Sequence, residues 1–548
     1  MQIIIPMSGI GLRFIEAGYK DPKPLIEIDG MPIIEHVVNM FPGETNFIFI
    51  CNSDHLRKTN MREILERIAP YGKIVEIPSH KKGPVYAVSQ IFELIMNEEE
   101  IIVNYCDFSC YWDYKDFLNH TRERNADGAI PAYKGFHPHM LGTTNYAFMR
   151  DDNQRMLEIK EKAPFTNNRM QEYASSGTYY FKNGAIVKKY FQQLMEEDIN
   201  LGGEYYVSLV YNLLLRDSLN ISIYEIQHML QWGTPQDVKE YESWSKYFKL
   251  ITRSSAKRTN ETHSTNLIPL AGAGSRFAKE NYQEPKPLIQ VSGKPMIIQA
   301  TETLPSADNY IFVCLKEHLE KYPLEEELKK QYPKCKIVVA DHLTDGQART
   351  CELGLNEIDL QVPLLIGACD NGMVWDIEKY ESLLIDSNVD AIVFSFRHHI
   401  SSQLNPQMYG WIKVGNEDFV ESVSVKKPIS DDPFNDHAVV GSFYFKKAQY
   451  FAEAIQRLFD QNIRVNGEFY VDSCINELIR MGLKVKVFEL EEYVCWGTPN
   501  DLKTYEYWQS FFHKWPWHIY ELEKDITMNI ESIPGLSQKY NSFRQSNR

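Results

Sequence analysis

Two glycine-rich loops in the sequence each lead to an arginine. The residues concerned are Gly9, Gly11 and Arg13 in PMSGIGLRF, and Gly272, Gly274 and Arg276 in PLAGAGSRF. Because glycine lacks a Cβ, backbone N–H groups in such a loop can approach an anion closely. The pattern favours phosphate binding beside a cation, and a tight turn is the alternative for either loop taken alone. Phe14 and Phe277 stand where a dinucleotide-binding loop needs its third glycine, which disfavours NAD.

A lysine and an aspartate follow each loop. Lys23 and Lys286 lie between two prolines in PKPL, and the following proline pushes each lysine toward an extended conformation. An ammonium group restrained in this way suits contact with the phosphates of a reacting ligand, and a rigid loop is the alternative. Asp107 and Asp370 end apolar strands, where a carboxylate can hold Mg²⁺ or instead cap a following helix.

Taken together, these residues suit nucleotidyl transfer. A phosphate oxygen of one substrate attacks the α-phosphorus of a nucleoside triphosphate in line, so the protein must position the reactants and neutralise charge, and needs no covalent nucleophile. Arg13, Lys23, Arg276 and Lys286 would supply the positive field.

The sequence contains an internal repeat. DPKPLIEIDGMPI at 21–33 matches EPKPLIQVSGKPM at 284–296 with a shift of 263 residues, and WGTPQD at 232–237 matches WGTPND at 496–501 with a shift of 264. Such a register predicts two tandem domains. We expect domain 1 over 1–250, a polar linker over 251–264, domain 2 over 265–514, and a C-terminal extension over 515–548. The extension is expected to pack on the second domain, with packing on another subunit as the alternative.

Each repeat alternates short β-rich runs with segments of helical period, beginning with QIIIPM, MPIIEHVVNMF and FIFICNS. This alternation predicts an α/β fold with a mainly parallel central sheet flanked by helices. Ligands are then expected beyond the carboxyl ends of the strands, where most of the candidate residues fall.

Bulk properties limit the partners. A formal net charge of -16 argues against nucleic acid, which normally requires a basic surface. The sequence has no run near the roughly 18 apolar residues of a membrane span and no basic leader, so neither a membrane nor secretion is expected. Nine cysteines without a CxxC pair favour a reduced, cytoplasmic protein. The sequence is compatible with a homo-oligomer and does not determine the oligomeric state.

The motifs resemble the sugar-phosphate nucleotidyltransferases, also called NDP-sugar pyrophosphorylases, which have a GT-A-like (Rossmann-like) fold. G-x-G-x-R, P-K-P-L, a strand-end Asp, a later lysine before proline and a late G-T occur in family order in both repeats. The resemblance implies triphosphate contacts by the glycine loops, Lys23 and Lys286, and Mg²⁺ binding by Asp107 and Asp370. It further implies nucleobase contacts by Gly83, Gly346 and Gln347, and substrate contacts by Lys162, Glu204, Lys426 and Glu468. Glu204 and Glu468 are equally explained as acids near a helix N-terminus.

Three departures from the family pattern are visible. Leu12 replaces the hydroxyl residue that Ser275 supplies in the second copy, and Val425 replaces the acid that Glu161 supplies in the first. Gln231–Trp232 and Cys495–Trp496 stand where many members carry a second metal-binding aspartate. Each repeat has therefore lost something different, and the sequence does not identify an inactive copy.

The leading hypothesis is a tandem enzyme in which both repeats are catalytic and act on different substrates. Each repeat would transfer a nucleotide from a nucleoside triphosphate to a phosphorylated sugar or other small metabolite and release pyrophosphate. Within the family, the sequence most resembles the enzymes of bacterial capsule and surface-glycan synthesis. One alternative is a single catalytic domain with a regulatory homologue. A GT-A glycosyltransferase is another, but its Asp-x-Asp motif is not provided at Asp107 or Asp370.

Overall fold

The computed structural model describes residues 1–143, 145–253 and 264–541. These residues form two compact units, Met1–Glu242 and Ser243–Asn541. The boundary falls inside a helix, and not at the linker expected over 251–264, most of which (254–263) lies outside the described residues. In the described part of the chain, no helix is both long and apolar enough to cross a bilayer.

The first unit alternates strands with helices. Its strands are β1 (Gln2–Met7), β2 (Glu27–Ile28), β3 (Met31–Pro32), β4 (Phe47–Asn52), β5 (Lys73–Ile77), β6 (Ile101–Asn104), β7 (Phe108–Tyr111), β8 (Gly128–Tyr133), β9 (Ala147–Asp152), β10 (Arg155–Glu161), β11 (Tyr173–Ser175), β12 (Thr178–Phe181), β13 (Ile221–Glu225) and β14 (His228–Gln231). Its helices are α1 (Leu12–Glu16), α2 (Ile33–Asn39), α3 (Ser53–Lys58), α4 (Met61–Ile68), α5 (Gly83–Ser89), α6 (Tyr114–Glu123), α7 (Gly184–Glu196) and α8 (Val207–Arg216), followed by α9 (Pro235–Arg253), which continues into the second unit.

The second unit contains the same kinds of element in the same order. Its strands are β15 (Thr265–Leu270), β16 (Gln290–Val291), β17 (Lys294–Pro295), β18 (Asn309–Leu315), β19 (Lys336–Ala340), β20 (Leu364–Ile366), β21 (Asn371–Val374), β22 (Ala391–Phe396), β23 (Gly410–Val414), β24 (Val420–Val425), β25 (His437–Phe445), β26 (Val485–Glu489) and β27 (Glu492–Cys495). Its helices are α10 (Ser275–Lys279), α11 (Met296–Thr301), α12 (Lys316–Lys321), α13 (Leu324–Gln331), α14 (Gln347–Leu355), α15 (Ile377–Ile385), α16 (Ile400–Leu404), α17 (Ala448–Asp460), α18 (Val471–Arg480), α19 (Pro499–Lys514) and α20 (Ile533–Asn541).

The large sheet of the first unit has the order β11-β9-β10-β13-β8-β12-β6-β1-β4-β5. Strands β5, β4, β1 and β6 are mutually parallel, as the alternation of strands and helices predicts. Strand β12 lies antiparallel between β6 and β8, and β9, β10 and β11 add further antiparallel pairs. The α/β fold is therefore confirmed, but the sheet is mixed, because hairpins extend it beyond its parallel half.

The second unit has the same strand order, β19-β18-β15-β20-β25-β22-β26, with β23 and β24 attached through β25. Here the single strand β25 occupies the positions of both β11 and β12. It bends at Gly441, whose φ is 94°. The internal repeat of the sequence thus corresponds to a repeat of topology.

The central strands are hydrophobic throughout. Ile3, Ile4 and Ile5 of β1 have no exposed surface, which is expected of a parallel strand covered by helices on both faces. The polar groups at the ends of these strands are therefore the ones that remain available to ligands.

The C-terminal extension packs on α19 of its own unit. Tyr520 and Tyr540 are each 1% exposed, and the Tyr540 hydroxyl donates to Gln509 Oε1 at 2.6 Å. Phe248, near the end of α9, contacts Tyr505 and Tyr520 in the same cluster. This packing explains why the compact units divide within α9. Residues 542–548 lie outside the described part of the extension.

Candidate active site

A cavity of about 260 Å³ lies at the carboxyl ends of β1 and β6 in the first unit. Six of the candidate residues line it: Gly9, Gly11, Lys23, Gly83, Asp107 and Glu204. Arg13 and Lys162 do not line this cavity directly. Lys162 donates a hydrogen bond of 2.6 Å to the hydroxyl of Tyr206, which does line it. Burial raises the pKa of Tyr206, and the charge of Arg13 is close enough to offset a small part of that rise.

The second unit has a larger cavity, of about 620 Å³, at the corresponding strand ends. All nine candidate residues of the second repeat line it: Gly272, Gly274, Arg276, Lys286, Gly346, Gln347, Asp370, Lys426 and Glu468. Residues that are up to 196 positions apart in the sequence, from Gly272 to Glu468, therefore share one cavity.

The glycine loops need glycine for their backbone conformation. Gly11 and Gly274 have φ angles of 72° and 59°, in the left-handed region that side chains with a Cβ rarely adopt. A Cβ on Gly274 would lie 3.2 Å from the Cβ of Lys286. A Cβ on Gly9 or Gly272 would meet nothing within 4 Å, so these two glycines face open space in their cavities.

Each cavity holds an ion pair between the candidate lysine and the candidate aspartate. Lys23 Nζ lies 2.8 Å from Asp107 Oδ2, and Lys286 pairs with Asp370 in the same way. Burial acts to lower the pKa of Lys23, but the adjacent Asp107 outweighs it and raises the pKa above its usual value. Both lysines are therefore charged at neutral pH.

The lysines reach this position from a 3₁₀ turn. Lys23–Leu25 and Lys286–Leu288 each form such a turn, so the expectation of an extended lysine is wrong. The turn is closed by the Leu25 N–H, which donates to the carbonyl oxygen of Pro22 at 2.8 Å. Proline still fixes the chain on either side, but the resulting conformation is a turn that directs the lysine over the glycine loop.

Asp107 and Asp370 do not cap helices. Each lies between the sheet strand and a short strand, β7 or β21, that pairs with β14 or β27. The backbone N–H of Trp232 donates to the Asp107 carbonyl oxygen at 2.9 Å, and Trp496 does the same for Asp370 at 2.8 Å. These two-strand ribbons place the late W-G-T-P segment next to the aspartate in both repeats.

A second carboxylate in that segment was not identified from the sequence. A Cβ on Gly233 would lie 3.4 Å from Asp107 Oδ2 and 3.9 Å from Asp237 Oδ2, so the two acids flank the same glycine. Burial raises the pKa of Asp237, and the charge of Asp107 raises it further. Asp501 has the same environment beside Asp370. The signal available in the sequence was the repeated spacing of W-G-T-P-x-D.

The donor atoms at these positions suit Mg²⁺. Across residues 1–143, 145–253 and 264–541, no cluster of three or more His, Cys, Asp or Glu side chains could hold a metal ion. Mg²⁺ is commonly bound through one or two carboxylates together with substrate phosphates and water. Asp107 with Asp237, and Asp370 with Asp501, therefore fit a magnesium ion that is completed by a triphosphate.

Gly83 and Gly346 have a structural reason to be glycine that is independent of any nucleobase. A Cβ on Gly83 would lie 2.7 Å from the backbone nitrogen of Tyr205, and one on Gly346 would lie 2.4 Å from the carbonyl oxygen of Phe469. The two segments are tied together by backbone hydrogen bonds, such as that from Tyr205 N–H to the Lys82 carbonyl oxygen at 2.9 Å. Gly83 and Gly346 also line their cavities, and Gln347 begins α14 there.

Lys162 and Lys426 share an unusual backbone conformation. Their φ angles are 55° and 60°, in the left-handed region, which is uncommon for a residue with a long side chain. Their N–H groups are held by the carbonyl oxygens of Tyr146 and Tyr409 at 2.8 and 3.0 Å. Such strain is often found at functional sites, and it directs each lysine away from the preceding strand.

Glu204 and Glu468 precede helices without belonging to them. Helix α8 begins at Val207, and Glu204 instead accepts a hydrogen bond from the Tyr206 hydroxyl at the cavity wall. In the second unit, a hydrogen bond to Glu468 helps to raise the pKa of Tyr470 to about 12, after the larger effect of burial. In each unit, therefore, a glutamate and a tyrosine lie close to the candidate lysine, Lys162 or Lys426.

Comparisons with known proteins place the first repeat in context. Residues 3–203 match the family model described as Nucleotidyl transferase. The chain is 22% identical over 226 residues to the bifunctional protein GlmU of Aliarcobacter butzleri, covering 41% of this chain and 48% of that protein. It is 26% identical over 194 residues to mannose-1-phosphate guanyltransferase beta-A of Xenopus laevis, covering 34% and 51%. The chain thus spans about half the length of these relatives.

Solved structures also match. A nucleoside-diphosphate-sugar pyrophosphorylase from Vibrio cholerae has 22% identity and a TM-score of 0.37, with 44% of this chain and 99% of that chain covered. The inositol-1-phosphate CTP transferase from T. maritima has 14% identity and a TM-score of 0.37, with 46% and 96% covered.

Proposed function

We propose, from the match of residues 3–203 to the Nucleotidyl transferase family model, that both repeats transfer a nucleotide from a nucleoside triphosphate to a phosphorylated sugar or related small molecule. The observation that carries the proposal is the lysine–aspartate pair beside a glycine loop, formed twice at the carboxyl ends of the central strands. Nucleotidyl transfer needs both a cation and a carboxylate at the phosphates, and this pair supplies them.

In the proposed reaction, a phosphate oxygen of the acceptor attacks the α-phosphorus of the triphosphate. The new oxygen–phosphorus bond forms while the bond from the α-phosphorus to the α,β-bridging oxygen breaks, and pyrophosphate leaves. The acceptor oxygen is already ionised near neutral pH, so no general base is required. Gly9 and Gly11 leave room for the phosphates, and Lys23 with Arg13 neutralises the charge that develops on the leaving pyrophosphate.

Asp107 and Asp237 would hold Mg²⁺ in the first unit, and Asp370 and Asp501 in the second. When bound, Mg²⁺ supplies charge neutralisation at the triphosphate. Lys23 must then release Asp107, or share it, as nucleotide binds. The ion pair therefore keeps the carboxylate occupied before the ligands arrive.

Lys162 and Lys426 are proposed to bind the acceptor phosphate. Both are displaced from strand geometry by a left-handed backbone, and both carry a cation toward the same side of the site as a tyrosine and a glutamate. Glu204 and Glu468 are proposed to contact acceptor hydroxyls. The names of the relatives make mannose 1-phosphate and GTP a reasonable first pair to test.

The two cavities differ in size and lining, which favours different substrates for the two repeats. His80 and Lys81 line the first cavity, where Leu343 and Thr344 line the second. We further propose a bacterial capsule or surface-glycan precursor as the product, on the resemblance of the motifs alone. A cytoplasmic location is supported by nine cysteines that form no disulfide.

Pyrophosphate release tests the proposal directly. The full chain is incubated with Mg²⁺ and each of five nucleoside triphosphates, crossed with sugar, polyol and amino-alcohol phosphates. Lys23→Ala and Lys286→Ala variants then assign each activity to a repeat, and each should lower its own activity by about 10²- to 10³-fold. Loss of every activity in only one variant would indicate a single catalytic repeat with a regulatory homologue. Folded protein that releases no pyrophosphate with any pair would refute the proposal.

A further inference from the structure

The strand that leads to each acceptor lysine is locked to a helix by one asparagine. In the first unit, Asn212 of α8 accepts from the Ile159 N–H at 3.2 Å and donates to the Ile159 carbonyl oxygen at 2.8 Å. In the second unit, Asn476 of α18 makes the same two bonds to Val423, at 2.9 and 2.8 Å. Strand and helix therefore meet in the same register in both units, and the residues around the lysine can be compared position by position.

Three positions form one group in the first unit. Ala147 and Glu161 are cross-strand partners on β9 and β10, and Ser208 faces them from α8. The Ser208 hydroxyl donates to Glu161 Oε2 at 2.5 Å. Glu161 is partly buried, and this burial raises the pKa of its carboxyl group.

All three positions change together in the second unit. Gly410 and Val425 are the cross-strand partners on β23 and β24, and Asp472 faces them from α18. A Cβ on Gly410 would lie 2.2 Å from Asp472 Oδ2, so the carboxylate occupies the space that an alanine would fill. The second unit thus has Val425 in place of the acid on the strand, but the helix supplies a carboxylate to the same region. Gly410 leaves the space for that carboxylate.

The Asp472 carboxylate is buried at the wall of the cavity. The residue is 8% exposed and lines the second cavity together with Lys426 and Tyr470. Over the described ranges it makes no ion pair within 4.0 Å and no hydrogen bond to another side chain, unlike Glu161, which has Ser208. The charge of Lys426 and a hydrogen bond to its own backbone N–H offset the burial of this carboxylate only in part. A further hydrogen-bond partner is therefore expected to come from the ligand.

We propose that Asp472 determines the acceptor specificity of the second site by accepting a hydrogen bond from a hydroxyl group of a phosphorylated sugar or polyol. This inference rests on the proposed function and adds the acceptor side of the second site to it. Lys426 binds the acceptor phosphate, and Asp472 binds a hydroxyl farther along the same molecule. Because Glu161 projects from the strand and Asp472 from the helix, the two sites present their acid from different directions and select different arrangements of hydroxyls.

The test uses the full chain with Lys23→Ala, which silences the first site. Pyrophosphate release is measured with the best triphosphate and four acceptors: glucose 1-phosphate, its epimer mannose 1-phosphate, glycerol 3-phosphate and ethanolamine phosphate. Asp472→Asn is compared with Asp431→Asn, an exposed aspartate outside both cavities. We expect Asp472→Asn to raise the KM for the hydroxylated acceptor about 10- to 100-fold and to leave the KM for the triphosphate unchanged.

A pH profile separates binding from a purely structural role. In the parent, the KM for the acceptor should rise below about pH 6 as Asp472 becomes protonated, since its pKa is raised to about 6. The acceptor phosphate titrates in this range with every variant, so the part of the rise in KM that Asp472→Asn lacks is due to Asp472. Asp431→Asn should show the same rise in KM as the parent.

The triple variant Gly410→Ala/Val425→Glu/Asp472→Ser moves the carboxylate back to the strand. It should recover acceptor use that Asp472→Asn loses, with a changed preference between glucose and mannose 1-phosphate. An active parent whose acceptor KM and pH profile are unaffected by Asp472→Asn would overturn this inference alone, as would activity only on ethanolamine phosphate. A parent that releases no pyrophosphate with any pair would overturn both this inference and the proposed function for the second repeat.

Discussion

Asp472→Asn is expected to make the protein more stable while it impairs the second site. Burial raises the pKa of Asp472 from 3.8 to about 6, an effect only partly offset by the charge of Lys426. One pKa unit corresponds to about 1.4 kcal/mol, so this burial destabilises the fold by at most about 3 kcal/mol at neutral pH. Asparagine has nearly the same shape and carries no charge, and therefore escapes that penalty.

The sign of the effect depends on pH. Between about pH 4 and pH 6 the folded state binds more protons at Asp472 than the unfolded state does, so stability falls as the pH rises through this window. Asp472→Asn should match the parent near pH 4 and exceed it above about pH 6. The second unit, Ser243–Asn541, is large enough that about 3 kcal/mol corresponds to a rise of only roughly 5 °C in Tm.

Thermal unfolding of the full chain at pH 4.5 and pH 8, followed by calorimetry so that separate transitions are resolved, measures the difference. The lower pH lies about half a unit above the usual pKa of aspartate, and the higher pH lies well above the pKa of Asp472 in the folded state. Asp431→Asn should show no pH-dependent difference, because Asp431 is exposed. An equal gain at both pH values, or no gain at pH 8, would refute the reasoning that a buried charge is the cause.

Three further outcomes follow from the sites. Lys23→Met should strengthen Mn²⁺ binding in the absence of nucleotide, measured by electron paramagnetic resonance, because Asp107 loses its ammonium partner; unchanged affinity would argue against Asp107 as a metal ligand. Gly346→Ala should destabilise the chain by about 2–5 kcal/mol in calorimetry, since its Cβ would meet the Phe469 backbone at φ 127°; Gly272→Ala, which meets nothing within 4 Å, should be nearly neutral. Asp237→Asn should raise the Mg²⁺ concentration needed for half-maximal pyrophosphate release by the first repeat, and no change there would remove Asp237 from the proposed metal site.

The arrangement of the sheet could be predicted only in part. The parallel strands β1, β4, β5 and β6 follow from hydrophobic runs separated by helical segments, because that signal is local in the sequence. The antiparallel strand β12 and the hairpin β9–β10 could not be predicted in this way, since their pairing depends on contacts between residues far apart in the chain. The division of α9 between units also escaped prediction, because it depends on the packing of Phe248.

The candidate site shows the same limit. The sequence indicated Lys23 and Asp107 separately, but their ion pair depends on a 3₁₀ turn where an extended lysine was expected. Asp237 was overlooked, since the acid sought in that region was expected just before the late G-T, and the structure brings in one that follows it.

The sequence by itself determined that the chain contains an internal repeat and which residue types recur in both copies, because a shared register and repeated motifs can be read from the order of residues alone. Only the tertiary structure decided where the acids lie. In the sequence, Val425 indicates that the second repeat has lost an acid. In the structure, the space left by Gly410 admits the carboxylate of Asp472, a helix residue 47 positions after Val425. The physical reason is that a binding site requires charge at a point in space, and any element packed against that point can provide it.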